Sequence, residues 1–139
     1  MTDLSPEETV RTYFGRMAAG DAGGAFALLA PNVSYRVMGT TPISVEAHGV
    51  GELLEKIIRP FVGRLQGQKL ELIPDEFLPS GDRVVVLAHS VATGASGKPY
   101  ENEYAMVFTV EDELITSLRE YLDTALVETA VFDRVLAER

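Results

Sequence analysis

The chain has 139 residues, no cysteine and no tryptophan, and a formal net charge of −9. This length suits a single domain covering residues 1–139, and a hydrophobic content of 46% is sufficient for a packed core. The lack of cysteine excludes disulfides, thiolate metal sites and a cysteine nucleophile. The acidic balance disfavours nucleic acid as a partner, because phosphate backbones repel a negatively charged surface.

Neither the start of the chain nor its apolar runs indicate export or membrane insertion. Residues 1–8 lack the basic start and the apolar stretch that a secretory signal requires. The longest strongly apolar run, residues 84–88, is far shorter than a membrane span. We therefore expect a cytoplasmic protein that has no membrane partner.

Helical signals dominate the first half of the chain. Ser5-Pro6-Glu7-Glu8 combines a capping serine, a proline at the first helical position and a glutamate that completes a capping box. Apolar residues then recur at helical spacing up to a predicted end at Gly20. Asp21 is placed to cap a short second helix that runs through Leu29. Helical spacing returns over residues 50–65, where Pro60 predicts a kink or an early end.

The second half is predicted to be mostly strands, joined by short turns and followed by a closing helix over residues 124–139. Helices packed on one face of a curved antiparallel sheet define an α+β domain. The predicted strands cover residues 33–38, 43–48, 69–78, 83–93, 100–110 and 114–122.

Glu120 is the leading candidate for chemistry, because it shares one face of the last predicted strand with Leu118 and Leu122. With that face inward, desolvation raises the pKa of the carboxyl toward neutrality, which suits a general acid or base. The alternative is a buried acid that bonds only to a neighbouring strand or to Arg36. The other acids of the closing segment, among them Glu128, are expected to be solvated surface.

His89 is the second catalytic candidate, since it alternates with Leu87 and Val91 in an apolar stripe and has an ordinary pKa close to neutrality. It can carry a proton in a pocket, or it can be a core histidine satisfied by hydrogen bonds. Tyr35 and Tyr104 can each offer a phenol from an apolar wall, either to a ligand or only to a neighbouring side chain.

Several residues are candidates for ligand contacts. Asn102 shares a face with Tyr104 and can orient a ligand or satisfy a strand end. Methionine and aromatic side chains adapt to flat hydrophobic ligands, although most of them are expected in the core. Histidines 41 residues apart, with no acid at ligand spacing, predict no metal site, and no phosphate loop or nucleotide fingerprint predicts a cofactor. The apolar candidates are Tyr13, Phe14, Met17, Phe61, Met106 and Phe108.

The chain contains Tyr13-Phe14, Gly20-Asp21 and the run Leu28–Val33, and its last predicted strand contains Ile115–Asp123. In this combination and order, the segments resemble SnoaL-like domains of the ketosteroid-isomerase-like superfamily, which also includes nuclear transport factor 2. The resemblance implies a cone-shaped, cystatin-like α+β barrel, in which a curved sheet wraps against three helices around an apolar pocket. Its members include isomerases, polyketide cyclases, epoxide hydrolases, dehydratases and non-catalytic proteins, so membership defines the fold better than the reaction.

The resemblance also bears on individual residues. Glu120 matches an acid used by limonene epoxide hydrolases. The aspartate, arginine and asparagine of those enzymes fall at His89, Leu87 and Val37, so the hydrolase set is incomplete and that activity is not expected. Ketosteroid isomerase uses a tyrosine with a protonated aspartate as an oxyanion hole, and a tyrosine beside a protonated Glu120 is a loose analogue.

Two functions remain open. The first is an acid–base enzyme of the isomerase, cyclase or dehydratase type. It moves a proton on an apolar, carbonyl-bearing ligand with Glu120 and His89, and Tyr35 or Tyr104 donates a hydrogen bond. The second is a non-catalytic module for small-ligand binding or dimeric interaction. We also expect a homodimer through the outer face of the sheet, where Val84, Val86 and Ala88 are predicted to lie.

Overall fold

The computed structural model describes residues 4–138. Helix α1 (Pro6–Ala18) begins with the predicted capping box, in which the Glu8 N–H donates to Ser5 Oγ at 3.1 Å. Helix α2 (Ala22–Phe26) is capped by Asp21, whose carboxylate accepts the Gly24 N–H at 2.8 Å. It is shorter than predicted, because Leu29 belongs to the first strand.

The third helical stretch lies where the sequence predicts it, but it is not one regular helix. Helix α3 (Gly49–Leu53) continues through a π-helical turn (Leu54–Ile58) into helix α4 (Arg59–Val62). The Arg59 N–H bonds to the Leu54 carbonyl five residues back, immediately before Pro60. Because Pro60 has no N–H to donate to the hydrogen bonds of a regular helix, the wider π-helical turn accommodates it.

The strands within residues 4–138 are β1 (Leu29–Val37), β2 (Glu46–His48), β3 (Glu71–Ser80), β4 (Arg83–Thr93), β5 (Pro99–Tyr100), β6 (Glu103–Glu111) and β7 (Leu114–Leu122). They form one curved, mixed sheet in the order β2-β1-β7-β6-β4-β3, with β5 paired to β4. The predicted antiparallel meander of β3, β4, β6 and β7 is confirmed, whereas β1 pairs parallel with β7. One predicted strand over residues 100–110 is divided into β5 and β6.

The orientation of β4 is the reverse of the predicted one. Val84, Val86 and Ala88 point inward and are almost fully buried, whereas Leu87 is 36% exposed on the outer face. The prediction that these three residues form the outer face is therefore wrong. Both faces of β4 contain apolar residues, so alternation alone does not indicate which face packs against the helices.

The tail contains helix α5 (Thr124–Leu126) and a π-helical turn (Val127–Val131), after which residues 132–138 have no regular structure. The predicted helix is thus wrong beyond Val131, and Arg139 lies outside the described residues. The turn packs against Leu65 and Tyr100 in a hydrophobic cluster that is separate from the main core.

Glu128 belongs to this turn and is buried, with 2% of its surface exposed, which corrects its prediction as a solvated acid. Its carboxylate accepts the Ile43 N–H at 2.8 Å and also binds the guanidinium of Arg134. The acid therefore ties the loop before β2 to the tail.

None of the helices within residues 4–138 has the length and apolar character that crossing a membrane requires.

Candidate active site

A cavity of about 710 Å³ lies between the helices and the inner face of the sheet. Helix α1 and the stretch from α3 to α4 form one side, and strands β1, β6 and β7 form the other. The lining is mainly apolar; besides a few hydroxyls it contains one buried carboxyl, and the exposed Glu71 is the other acid among the lining residues. A site of this size and character suits a small hydrophobic ligand.

Glu120 supplies the carboxyl. It lies on β7 between Leu118 and Leu122 on the inner face, opposite Met106 of β6, and 9% of its surface is exposed. Desolvation raises the pKa of Glu120 to about 7, although a hydrogen bond from Tyr35 lowers it. The carboxyl is therefore present in both protonation states near neutral pH.

Tyr35 is the direct partner of Glu120. It lies on β1, which runs parallel to β7 with Val37 opposite Glu120, and its hydroxyl donates to Glu120 Oε1. Burial and the Glu120 charge raise the pKa of Tyr35 well above its ordinary value, so the phenol keeps its proton. The structure therefore gives Glu120 a partner on a neighbouring strand, the phenol of β1, and not Arg36.

Tyr13 reaches the same cavity from helix α1. Burial and the charge of Glu120 raise the pKa of its phenol, and no hydrogen bond contributes to that shift. Its ring is held edge-on against Phe14 and Phe108, with centroids 5.7 and 5.8 Å away. Tyr13 is therefore an oriented, protonated phenol close to the carboxyl.

A second polar group on the cavity wall is a chain of hydroxyls. The oxygens of Tyr100 and Tyr104 are 2.7 Å apart, and the Tyr104 hydroxyl donates to Ser90 Oγ at 3.3 Å. Burial raises the pKa of Tyr100 to about 12 and that of Tyr104 further, so both stay protonated at neutral pH. Tyr104 was predicted as a ligand contact; Tyr100 and Ser90 were not.

Asn102 anchors this chain instead of lining the cavity. Its amide nitrogen donates to the Tyr100 hydroxyl at 3.1 Å and to the Asp123 carbonyl at 3.0 Å. The structure therefore gives Asn102 the strand-end role of the two that the sequence left open.

His89 is not part of the cavity. It lies on the outer face of β4, where its Nδ1 contacts the Asp75 carboxylate at 2.8 Å and its side chain is 39% exposed. This placement corrects the prediction that His89 shares a pocket with Glu120, and it follows from the reversed orientation of β4. The paired acid Asp75 lies on the neighbouring strand β3.

The predicted apolar contacts divide between wall and core. Phe14, Met17, Phe61 and Met106 line the cavity. Phe108 is fully buried against Phe14 and Tyr13, which corrects its prediction as a ligand contact. Within residues 4–138, no group of three or more histidine, aspartate or glutamate side chains is arranged to hold a metal ion.

Two site residues escaped the sequence predictions. The sequence predicts Tyr100 only as the start of a long strand, and it predicts no functional role for Ser90 on β4. The available signal was the spacing of Tyr100, Asn102 and Tyr104, which places three polar groups on one strand face. Their convergence on Ser90 depends on strand register, which alternation does not predict.

This arrangement of a curved sheet, three helical segments and a buried acid defines an α+β domain with a cavity between its helices and its sheet. The SnoaL-like domain model matches residues 10–118, so the chain belongs to the SnoaL-like domain family. No curated protein matches the chain.

Solved structures share the fold over nearly the whole chain. An NTF2-like protein of unknown function from Burkholderia pseudomallei K96243 is 26% identical with a TM-score of 0.80, and the match covers 92% of this chain and 98% of that one. A putative isomerase from Bacillus subtilis is 19% identical with a TM-score of 0.77, covering 99% and 100%. A putative SnoaL-like polyketide cyclase from Jannaschia sp. CCS1 is 18% identical with a TM-score of 0.73, covering 97% and 100%.

Proposed function

We propose that the protein is an enzyme that moves a proton on an apolar, carbonyl-bearing small molecule. The observation that carries this proposal is the Glu120 carboxyl, held in a mostly apolar cavity with a pKa of about 7. A base whose pKa lies near the working pH is the most effective general acid–base catalyst. The isomerase and polyketide cyclase descriptions of two structural neighbours agree with this reaction class.

The proposed step uses only groups of this chain. The Glu120 carboxylate takes a proton from the carbon next to the ligand carbonyl, and the C–H electrons form a carbon–carbon double bond as the carbonyl becomes an enolate. The protonated Glu120 then returns the proton to the same or a conjugated carbon, and the carbonyl re-forms. Return of the proton to a conjugated carbon is an isomerisation, whereas return to the same carbon leaves only proton exchange. Both balance without a co-reactant.

The enolate oxygen needs a hydrogen-bond donor, and Tyr13 fits this role best. Its phenol is protonated, lines the cavity and is close enough to Glu120 to respond to its charge. The Tyr35 hydroxyl already donates its hydrogen bond to Glu120, so we assign Tyr35 to tuning the base. A donor aimed at developing negative charge lowers the barrier most in a cavity that excludes water.

Proton exchange on a model ketone tests the proposal without knowledge of the natural ligand. β-Tetralone is flat and apolar and has activated protons beside its carbonyl. We expect the protein to accelerate deuterium incorporation at these carbons, measured by proton NMR in D₂O. Glu120→Gln keeps the side-chain size but removes the base, and should lower the acceleration by roughly 10²-fold or more.

Glu103→Gln is the matched control, because Glu103 is an exposed acid on the adjacent strand β6. It should leave exchange unchanged. Full exchange activity in Glu120→Gln would show that this carboxyl is not the base.

A non-catalytic binding module is the second candidate, favoured by the position of His89. Because His89 lies on the outer face, it cannot act as a second proton carrier beside Glu120. Glu120 is then the one group lining the cavity, within residues 4–138, whose pKa is shifted close to neutrality. A carrier predicts that β-tetralone binds without accelerated exchange. It also predicts that Glu120→Leu keeps affinity and gains stability, because a desolvated carboxyl is removed.

A further inference from the structure

The hydrogen bonds of the hydroxyl chain beside the cavity all donate in one direction, starting from the amide of Asn102. The Asn102 Oδ1 accepts the N–H groups of Glu103 at 2.8 Å and Asp123 at 3.3 Å. Because the oxygen is thereby identified, the amide nitrogen is the atom that donates to the Tyr100 hydroxyl at 3.1 Å. Tyr100 therefore accepts from Asn102.

The direction continues through the two tyrosines. Tyr104 has one hydroxyl proton and donates it to Ser90 Oγ, which also accepts the Asn102 N–H. The proton in the 2.7 Å contact between Tyr100 and Tyr104 must then come from Tyr100. Each phenol oxygen in this chain donates once and accepts once, so one lone pair remains on Tyr104.

Tyr104 lines the cavity close to the carboxyl. Tyr104 pairs with Leu122 across β6 and β7, while Met106 pairs with Glu120, and all four side chains point inward. Tyr104 and Glu120 are thus diagonal neighbours, about 7–8 Å apart at the backbone and within reach of one small ligand.

We propose that Tyr104 is a specificity-determining residue that accepts a hydrogen bond from the ligand. The ligand class is then narrower than an apolar ketone: it is a ketone that also carries a hydroxyl, or another O–H or N–H donor, a few bonds from the carbonyl. This inference rests on the proposed function, since it assumes that the carbonyl-bearing part lies beside Glu120. It adds that the cavity wall at Tyr104 selects ligands that donate a hydrogen bond over ligands that only accept one.

Probe pairs that differ only in donor capacity test the inference. The probes are β-tetralone, its derivatives with one hydroxyl at each aromatic ring position, and the matching methoxy derivatives, which cannot donate. We expect at least one hydroxyl derivative to bind roughly three- to tenfold more tightly than its methoxy counterpart, the gain of one hydrogen bond. Calorimetric dissociation constants should show that preference lost in Tyr104→Phe and kept in Tyr121→Phe, a control on the exposed face of β7.

Ser90→Ala separates this role from simple wall packing. Without Ser90 Oγ, the Tyr104 proton is free to point at the ligand, so the preference should move from the hydroxyl toward the methoxy probe. A purely structural role predicts that both probes weaken equally.

The outcomes distinguish this inference from the proposed function. If β-tetralone binds and exchanges but no ring position favours the hydroxyl, or if the preference survives in Tyr104→Phe, the inference is wrong and the proposed function stands. If no probe binds and no exchange is catalysed, the proposed function fails and the inference fails with it.

Discussion

The Tyr35 hydroxyl and the Glu120 carboxyl share a hydrogen bond across 85 positions of the chain. The parallel pairing of β1 with β7 places Tyr35 opposite Leu118 and Glu120 opposite Val37, so the two side chains are diagonal neighbours on the inner face of the sheet. Two opposing effects act on the carboxyl there: burial raises its pKa and the phenol lowers it. Their balance leaves the pKa of Glu120 at about 7, so both effects can be tested by substitution.

The raised pKa of Glu120 predicts that stability falls as pH rises. The folded carboxyl has a pKa of about 7 against 4.5 for the ordinary group, so the folded state holds its proton more tightly than the unfolded state. Between these values, the free energy of unfolding should decrease by about 3 kcal/mol in total. Urea unfolding at a series of pH values should show this decline in the wild type and not in Glu120→Gln. Parallel curves for the two proteins would contradict the assignment.

Tyr35→Phe should move the pH dependence of exchange upward. Removing the phenol removes the hydrogen bond that lowers the pKa of Glu120, so the carboxylate forms only at higher pH. We expect the midpoint of the exchange rate against pH to rise by about one unit, and the rate to recover in alkaline buffer. A loss of rate at every pH with an unmoved midpoint would assign Tyr35 a different role.

Tyr13→Phe should have the opposite signature. Burial and the Tyr35 hydrogen bond cause the shifted pKa of Glu120, and Tyr13→Phe leaves both in place, so the midpoint of the pH profile should not move. The maximal rate should fall by roughly 10²-fold, the usual effect of losing one donor to a developing oxyanion. The measurement is the same exchange assay over the full pH range. A wild-type rate in Tyr13→Phe would exclude it as the donor.

Glu128→Ala should destabilise the fold and loosen the cavity wall. The substitution leaves the Ile43 N–H without its acceptor, and a buried unpaired donor costs about 1–3 kcal/mol. Ile43 and Val127 both line the cavity, so ligand affinity should fall as well. Glu138→Ala, at an exposed tail position, is the control in chemical unfolding. Equal stability of the two variants would show that Glu128 is not a structural tie.

We propose that two copies meet through the outer face of the sheet. Val84, Val86 and Ala88 do not take part, because they face inward. Leu78, Leu87 and Tyr121 are exposed on the outer face, at 44%, 36% and 42%. Sedimentation velocity at micromolar concentration should give a dimer for the wild type and a monomer for Leu87→Glu. Leu136→Glu, at an exposed tail position, should remain dimeric. A monomeric wild type would contradict the proposal.

The orientation of β7 could be predicted from the sequence, and that of β4 could not. On β7, Leu118 and Leu122 alternate with the polar Arg119, so one face is clearly the inner one. On β4, apolar residues occupy both faces, because the outer face is itself hydrophobic. Alternation then does not identify the inner face of β4, and choosing the wrong face predicts His89 in the pocket although it lies outside.

Glu128 was missed for a different reason. A charged residue near the end of a chain is usually exposed, and the spacing of apolar residues suggested a regular helix. The π-helical turn alters which side chains face the core, so Val127 and Glu128 are both buried. The acid is tolerated there because an N–H and a guanidinium meet it from separate segments, a pairing that cannot be predicted from the spacing of apolar residues.

The parallel pairing of the first long strand with the last one also has a consequence for folding during synthesis. Until β7 has left the ribosome, β1 lacks the neighbour that holds Tyr35 in place, and the cavity lacks the wall that carries Glu120. A chain that stops at Glu113 therefore exposes the inner edges of β1 and β6 together. Such unpaired edges are templates for association with other chains, so a truncated product is prone to aggregate.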